Sequence, residues 1–182
     1  CILGAGLLGL TAAAMCQTLG ASEVLVVEVN VSRRQRSLDF GATITADPEN
    51  LSATIDEVTK KRGVDVILEF SGANAAFEAA FPLVRIGGVI VLVGSVFPAP
   101  PVPIILERIV RRNLAVHGVH NYAPHNLLTA VHFITKHHAR FPFAELVADW
   151  YPLSAAPKAF QDACDPNRVR VGIHTSSTGR EL

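Results

Sequence analysis

Cysteine is scarce in this chain: Cys1, Cys16 and Cys164 are all that 182 residues contain. Three thiols, odd in number and far apart, build neither a disulfide framework nor a cysteine metal cluster, and they suit a reducing compartment. A soluble, cytoplasmic protein is therefore expected. Net charge is missing as well. Sixteen basic and sixteen acidic residues cancel, and no basic stripe with interleaved aromatics appears, so nucleic acid is not an expected partner. No apolar run approaches the roughly twenty residues that span a bilayer, so no membrane partner is expected either. The signature of serine hydrolysis is absent, because Ser71 and Ser95 follow strand-like runs without the Gly-x-Ser-x-Gly elbow that exposes a nucleophile. Seven histidines are present, yet His117, His120, His125 and the pair His137-His138 share no ligand-like spacing with a cysteine or carboxylate. Cys16 reads as a small core residue among alanines, and Cys164 has no positive neighbour to activate it. No catalytic residue and no metal ligand is expected within the chain.

What is present begins at once. Cys1-Ile2-Leu3 runs into Gly4-Ala5-Gly6-Leu7-Leu8-Gly9 and then the helix-forming stretch Leu10 to Cys16. Only three apolar residues precede the first glycine and no initiator Met stands before them, so further sequence upstream is expected. Each glycine has a physical task. Gly4 permits the tight strand-to-helix turn, Gly6 lets backbone approach a pyrophosphate, and Gly9 lets the helix pack closely on the strand. Amides at the helix start then face the phosphate. A second apolar strand, Val24 to Val27, ends in Glu28, nineteen residues beyond Gly9, where a carboxylate can accept both ribose hydroxyls of an adenosine. A 2'-phosphate would be repelled by that charge, so NAD is expected over NADP. Of the nearby guanidinium groups, Arg33 is expected beside the adenine ribose, and Arg34 and Arg36 as solvated helix charges.

Strand and helix signals alternate after that. Ser32 to Phe40 reads as a helix stopped by Gly41, Thr43 to Ala46 as a strand, and Leu51 to Lys61 as a helix stopped by Gly63. Val64 to Phe70 is a largely apolar strand of the buried, parallel kind. A helix from Asn74 to Val84 is expected to be broken by Gly87-Gly88, ahead of a hydrophobic strand Val89 to Gly94. The proline-rich stretch Phe97 to Pro103 is a loop. A helix from Ile104 to Arg111 and a strand from Asn113 to Gly118 come next. Beyond these the winding stops: Asn126 to Ala139 reads as helical, Phe143 to Trp150 as extended, Ser154 to Cys164 as helical, Val169 to His174 as extended, and the polar Ser176 to Leu182 as a disordered end. The fold class is thus α/β, a doubly wound parallel sheet. With 49% hydrophobic content the chain can bury one sizeable core and perhaps a small appended unit, with residues 1–118 as the dinucleotide-binding domain and 119–182 as a C-terminal segment.

In this order the glycine fingerprint, Glu28, Phe40-Gly41-Ala42-Thr43, Val64 to Gly72 and Gly87 to Gly94 resemble the zinc-type medium-chain alcohol dehydrogenases, specifically their C-terminal, cofactor-binding half. Gly118 to Pro124 and Trp150 to Leu153 are similar to members of that family proposed to act in phosphonate catabolism. The resemblance implies a separate catalytic domain that holds zinc, so that zinc belongs to the complete enzyme but is not held by this chain, and a tail, 119–182, that returns toward that domain. It implies an NAD-dependent oxidoreductase acting on a small-molecule alcohol or carbonyl substrate, with this fragment alone inactive. It also implies roles residue by residue. Amides of Leu7 and Leu8 meet the pyrophosphate, and Ser71 and Gly72 lie by the cofactor. Val93, Gly94 and Ser95 line the nicotinamide, and backbone at Val119 and Asn121 completes that contact. Dimers of the family join through the edge strand around Leu114 to His117, so a homodimer is expected. Two other readings stay open at this point: the zinc-free, NADPH-using quinone reductase branch, against which Glu28 speaks, and a non-catalytic NAD-sensing module.

Overall fold

A computed structural model of the chain describes residues 1–175; the polar end 176–182, expected from sequence to be disordered, lies outside the described residues. Two compact units, Cys1–Leu128 and Thr129–Leu182, make up the chain.

The first unit is a six-stranded sheet in which every pairing is parallel, ordered β3-β2-β1-β4-β5-β6. The strands are β1 (Ile2–Leu3), β2 (Leu25–Val27), β3 (Ile44–Ala46), β4 (Val64–Glu69), β5 (Val84–Leu92) and β6 (Ala115–Gly118). The helices between them are α1 (Leu7–Thr18), α2 (Val31–Asp39), α3 (Leu51–Thr59), α4 (Asn74–Ala80) and α5 (Leu106–Arg111). Adjacent residues of a strand point to opposite faces, and here both faces are covered: Ile2 and Leu3 are each 1% exposed. On one face Leu3, Val27, Ile67 and Ile90 pack with Ile55 of α3 and Phe77 of α4. On the other, Ile2 and Val26 are buried, as are Leu10, Ala13 and Ala14 of α1. Each such large aliphatic or aromatic side chain stabilises the fold by about 1.5–3 kcal/mol. This is the expected doubly wound sheet, and its order reverses direction between β1 and β4, the crevice where such folds bind ligands.

Within the large sheet one element departs from the sequence reading. The helix expected over Asn74 to Val84 ends at Ala80, tightens into a 3-10 turn at Phe81–Leu83 around Pro82, and gives way to β5 already at Val84. Gly87-Gly88 therefore lie inside a strand. Val64 pairs with Val84 and Val66 with Val89, so β5 spends extra residues on a bulge. A side chain at Gly88 would sit 2.3 Å from Val84 Cγ1, and Gly87 takes φ +71. The glycines serve the bulge and do not end the helix.

Helix α6 (Pro124–His137) contains the division between units. The second unit holds β7 (Val147–Pro152), α7 (Ala156–Asp162) and β8 (Arg170–His174), with the two strands parallel and outside the large sheet. The winding does stop, as expected. The stretch expected to be extended from Phe143 instead opens as a 3-10 turn, Phe143–Leu146, where the ring of Phe143 packs 6.0 Å from Phe141 and 6.2 Å from Phe133. Ring burial sets that turn, and β7 begins after it.

Candidate functional site

Parallel strands bring all their carboxyl ends to one edge of the sheet, and the connections leaving that edge carry the expected site residues. The first is the glycine turn. Gly4 donates its amide to the Val27 carbonyl at 2.8 Å and takes φ +99, with the position of a Cβ only 3.1 Å from Ser71 Cα. Gly6 caps α1 and has no side chain to offer its orphan amides; a Cβ there would meet nothing within 4 Å. Among the described residues nothing accepts a hydrogen bond from the amides of Leu7 and Leu8. Free amides at the positive end of a helix, above a glycine with open space, form an anion cradle. Gly9 is the opposite case, since a Cβ would lie 1.9 Å from the Gly4 carbonyl oxygen. The helix rests there directly on the turn.

Glu28 comes directly after β2 and is 8% exposed. Its Oε2 accepts from the Ala5 amide at 2.8 Å and its Oε1 from the Asn30 amide at 2.9 Å. The carboxylate is thus fixed against the glycine turn, and each oxygen keeps acceptor capacity for a hydroxyl. Asn30 caps α2 by accepting from the Arg33 amide at 3.0 Å, which holds half-buried Arg33 in the first helical turn. Arg34 is not the solvated charge expected. Its guanidinium turns back and donates to the Glu28 carbonyl at 2.6 Å, because the helix start brings it over the strand end.

At β4 and β5 the structure shows a residue that the sequence reading passed over. Glu69, the last residue of β4, is fully buried. Its Oε1 accepts from the Ser71 amide at 2.7 Å, the Ser71 hydroxyl at 2.5 Å and the Gly72 amide at 2.8 Å, and its Oε2 from the Ser95 hydroxyl at 3.3 Å. The signal was available: an acidic residue closing an apolar strand just ahead of Ser-Gly, as Glu28 closes β2. Val93 and Gly94 both donate their amides to the Glu69 carbonyl at 2.9 Å. Val119 donates to the Leu92 carbonyl at 2.9 Å, which seats the turn beyond β6 beside β5, and Asn121 in that turn takes φ +59.

Gly4 to Gly9, Glu28, Ser71, Gly72 and Val93 to Ser95 are therefore linked by contact or hydrogen bond, with Val119 joined through β5; Arg33 and Asn121 lie farther out on the same edge. From β2 to β5 is three strand spacings, about 14 Å, room for two nucleotides joined head to head. A cavity of about 520 Å³ opens at the opposite edge, lined by Cys16, Val24, Ile55, Val64 and Val66 among others. None of the expected site residues reaches it, and open α/β sheets bind at the carboxyl ends of their strands.

Among the described residues no three histidine, cysteine, aspartate or glutamate side chains gather to hold a metal ion, and no helix is long and apolar enough to cross a membrane.

A family profile described as zinc-binding dehydrogenase matches residues 8–136. The chain is 27% identical over 178 residues to a D-arabitol-phosphate dehydrogenase of Enterococcus avium, covering 96% of this chain and 50% of that protein. It is 32% identical over 121 residues to an L-threonine 3-dehydrogenase of Shewanella baltica, covering 65% of this chain and 35% of that one. A crystal structure of an alcohol dehydrogenase from Thermotoga maritima superimposes with a TM-score of 0.89 at 26% identity, over 96% of this chain and 49% of the other. The chain spans half the length, or less, of these proteins.

Proposed function

The chain belongs to the zinc-binding dehydrogenase family, and from that premise we propose that it is the dinucleotide-binding part of an oxidoreductase passing a hydride between NAD(H) and the carbon of a small alcohol or carbonyl compound. One observation carries this: the Gly4–Gly9 turn leaves free amides and open space above Gly6 while Glu28, directly after the next strand, is bonded to the same turn. The residues fit the cofactor. Leu7 and Leu8 amides would take the pyrophosphate and Glu28 the adenosine ribose, with Arg33 beside it. Ser71, Gly72 and Val93 to Ser95 would receive the nicotinamide half, with backbone at Val119 and Asn121 completing its wall. When bound, the nicotinamide supplies the hydride acceptor and donor at its ring C4. This chain's part is to bind that ring, orient it and exclude water from one face.

The described residues do not fit a zinc ion, so no step is assigned to one; we place the zinc that the family name implies in the portion of the relatives that this chain does not match. By itself the chain would then bind cofactor without turnover. Among the described residues the outer edge of β6 carries no partner strand in the sheet, and an exposed strand edge invites pairing, which supports a homodimer formed there. Three free cysteines agree with a cytoplasmic setting.

Fluorescence titration with NADH and NADPH tests the reading. Wild type should prefer NADH by at least about tenfold, and Glu28→Gln, which keeps the shape and removes the charge, should narrow the gap to about threefold. Equal binding of both cofactors by wild type would refute the assignment of NAD, and binding of neither would refute the dinucleotide site.

A further inference from the structure

We propose that Glu69 is a positioning residue that locks together the two loops receiving the nicotinamide half of the cofactor. The proposal rests on the dinucleotide reading above and adds to it a residue that touches no cofactor in that reading. Pairing between β4 and β5 ends at Glu69 and Leu92; past that point the sheet ladder no longer fixes the chain, and Glu69 takes over. Its carboxylate gathers the Ser71 amide and hydroxyl, the Gly72 amide and the Ser95 hydroxyl, and its carbonyl takes the Val93 and Gly94 amides. A buried carboxylate is costly unless such donors surround it, and a strand position flanked by Leu68 and Phe70 could have been filled by an apolar side chain. Here every donor comes from the two loops, so the group serves the loops.

The loops meet closely. A Cβ at Gly72 would stand 2.6 Å from the Gly94 carbonyl oxygen, and one at Gly94 2.5 Å from the Gly72 amide nitrogen. With no side chain between these two glycines, the carboxylate beneath them fixes their register. The Ser71 hydroxyl, donating to Glu69 and accepting from the Ala73 amide at 3.1 Å, is held in one rotamer. Loosening this knot should leave the pyrophosphate cradle and Glu28 nearly as they are: Gly4 lies against Ser71, but the hydrogen bonds that fix Glu28 come from the Ala5 and Asn30 amides.

The test compares NADH with ADP-ribose, which has the same adenosine and pyrophosphate but no nicotinamide. Glu69→Gln puts an amide group where donors converge and loses part of the charge-assisted bonding. It should weaken NADH by about tenfold or more while ADP-ribose binds within about twofold of wild type. Equal loss of both ligands would overturn the proposal by showing a general structural role, and no loss of either would overturn it as well. If Glu69→Gln does not fold, Ser71→Ala removes the hydroxyl's bond to Glu69 together with the one it accepts from the Ala73 amide. A loss of about threefold or more for NADH only supports the proposal, and unchanged NADH binding overturns it. If wild type fails to bind ADP-ribose, the dinucleotide reading itself falls and takes this one with it, an outcome distinct from all the others.

Discussion

Gly6 and Gly9 stand three residues apart in one motif, and replacing each by alanine should give opposite results. At Gly6 the backbone angles, φ −75 and ψ −172, suit any residue, and a Cβ has open space within 4 Å. Alanine there gains about 0.4–1 kcal/mol by restricting the unfolded chain and loses a few tenths to about 1 kcal/mol as a poorer helix cap. The net is near zero, so the melting temperature should move by no more than about 2 °C. Yet the added methyl occupies the space where the pyrophosphate must approach the amides, and NADH affinity should fall by about 100-fold or more. At Gly9 the methyl would lie 1.9 Å from the Gly4 carbonyl oxygen, far inside contact distance, and the obstacle is backbone, which cannot swing aside. Overpacking of this kind costs about 1–3 kcal/mol or more, out of a typical total of about 5–15, and should lower the melting temperature by about 2–12 °C. Thermal melts and NADH titrations on both variants decide the matter. A Gly6→Ala variant that binds NADH like wild type would refute the cradle, and a Gly9→Ala variant as stable as wild type would refute the packing argument.

Other expectations come from single contacts. Asp65 is held well below the usual carboxylate range, first by its hydrogen bond from Arg62, then by that from Arg85. A lowered folded value means stabilisation that is present above the ordinary value near 4 and lost as pH falls further. Because the pair is half-exposed, the effect is small; urea midpoints between about pH 5 and 2 should fall less steeply for Asp65→Asn than for wild type, and parallel curves would discount the ion pairs. In the second unit Gly172 lies opposite Trp150, and a Cβ would come 2.4 Å from the indole. Gly172→Ala should destabilise that unit by about 1–3 kcal/mol and change the emission of the single tryptophan; an unaltered spectrum and melt would contradict the register.

The strand-and-helix alternation of residues 1–118 was legible because parallel strands buried on both faces are continuous apolar runs, and because turn and cap residues punctuate them locally. The glycine turn and the position of Glu28 were legible for the same reason: each is set by backbone geometry within one strand-turn-helix unit. The 3-10 turn at Phe143 escaped because ring packing sets it, and three features of the sheet and the site escaped as well. The bulge that draws Gly87-Gly88 into β5 depends on which residue of β4 faces Val84. Arg34 was read as solvated because its acceptor, a carbonyl at the end of β2, is invisible to charge patterning. Glu69 looked like one more strand residue until the loops after β4 and β5 were seen to close upon it.

The sequence by itself determined the doubly wound sheet, the glycine turn and the acid that closes the second strand, because these rest on periodicity, backbone freedom and charge along the chain. Only the tertiary structure decided how β5 registers on β4, where the guanidinium groups turn and which buried carboxylate ties the two far loops together. Those are contacts whose partners are chosen by packing and by register across the sheet, which neither periodicity nor charge pattern nor turn chemistry encodes.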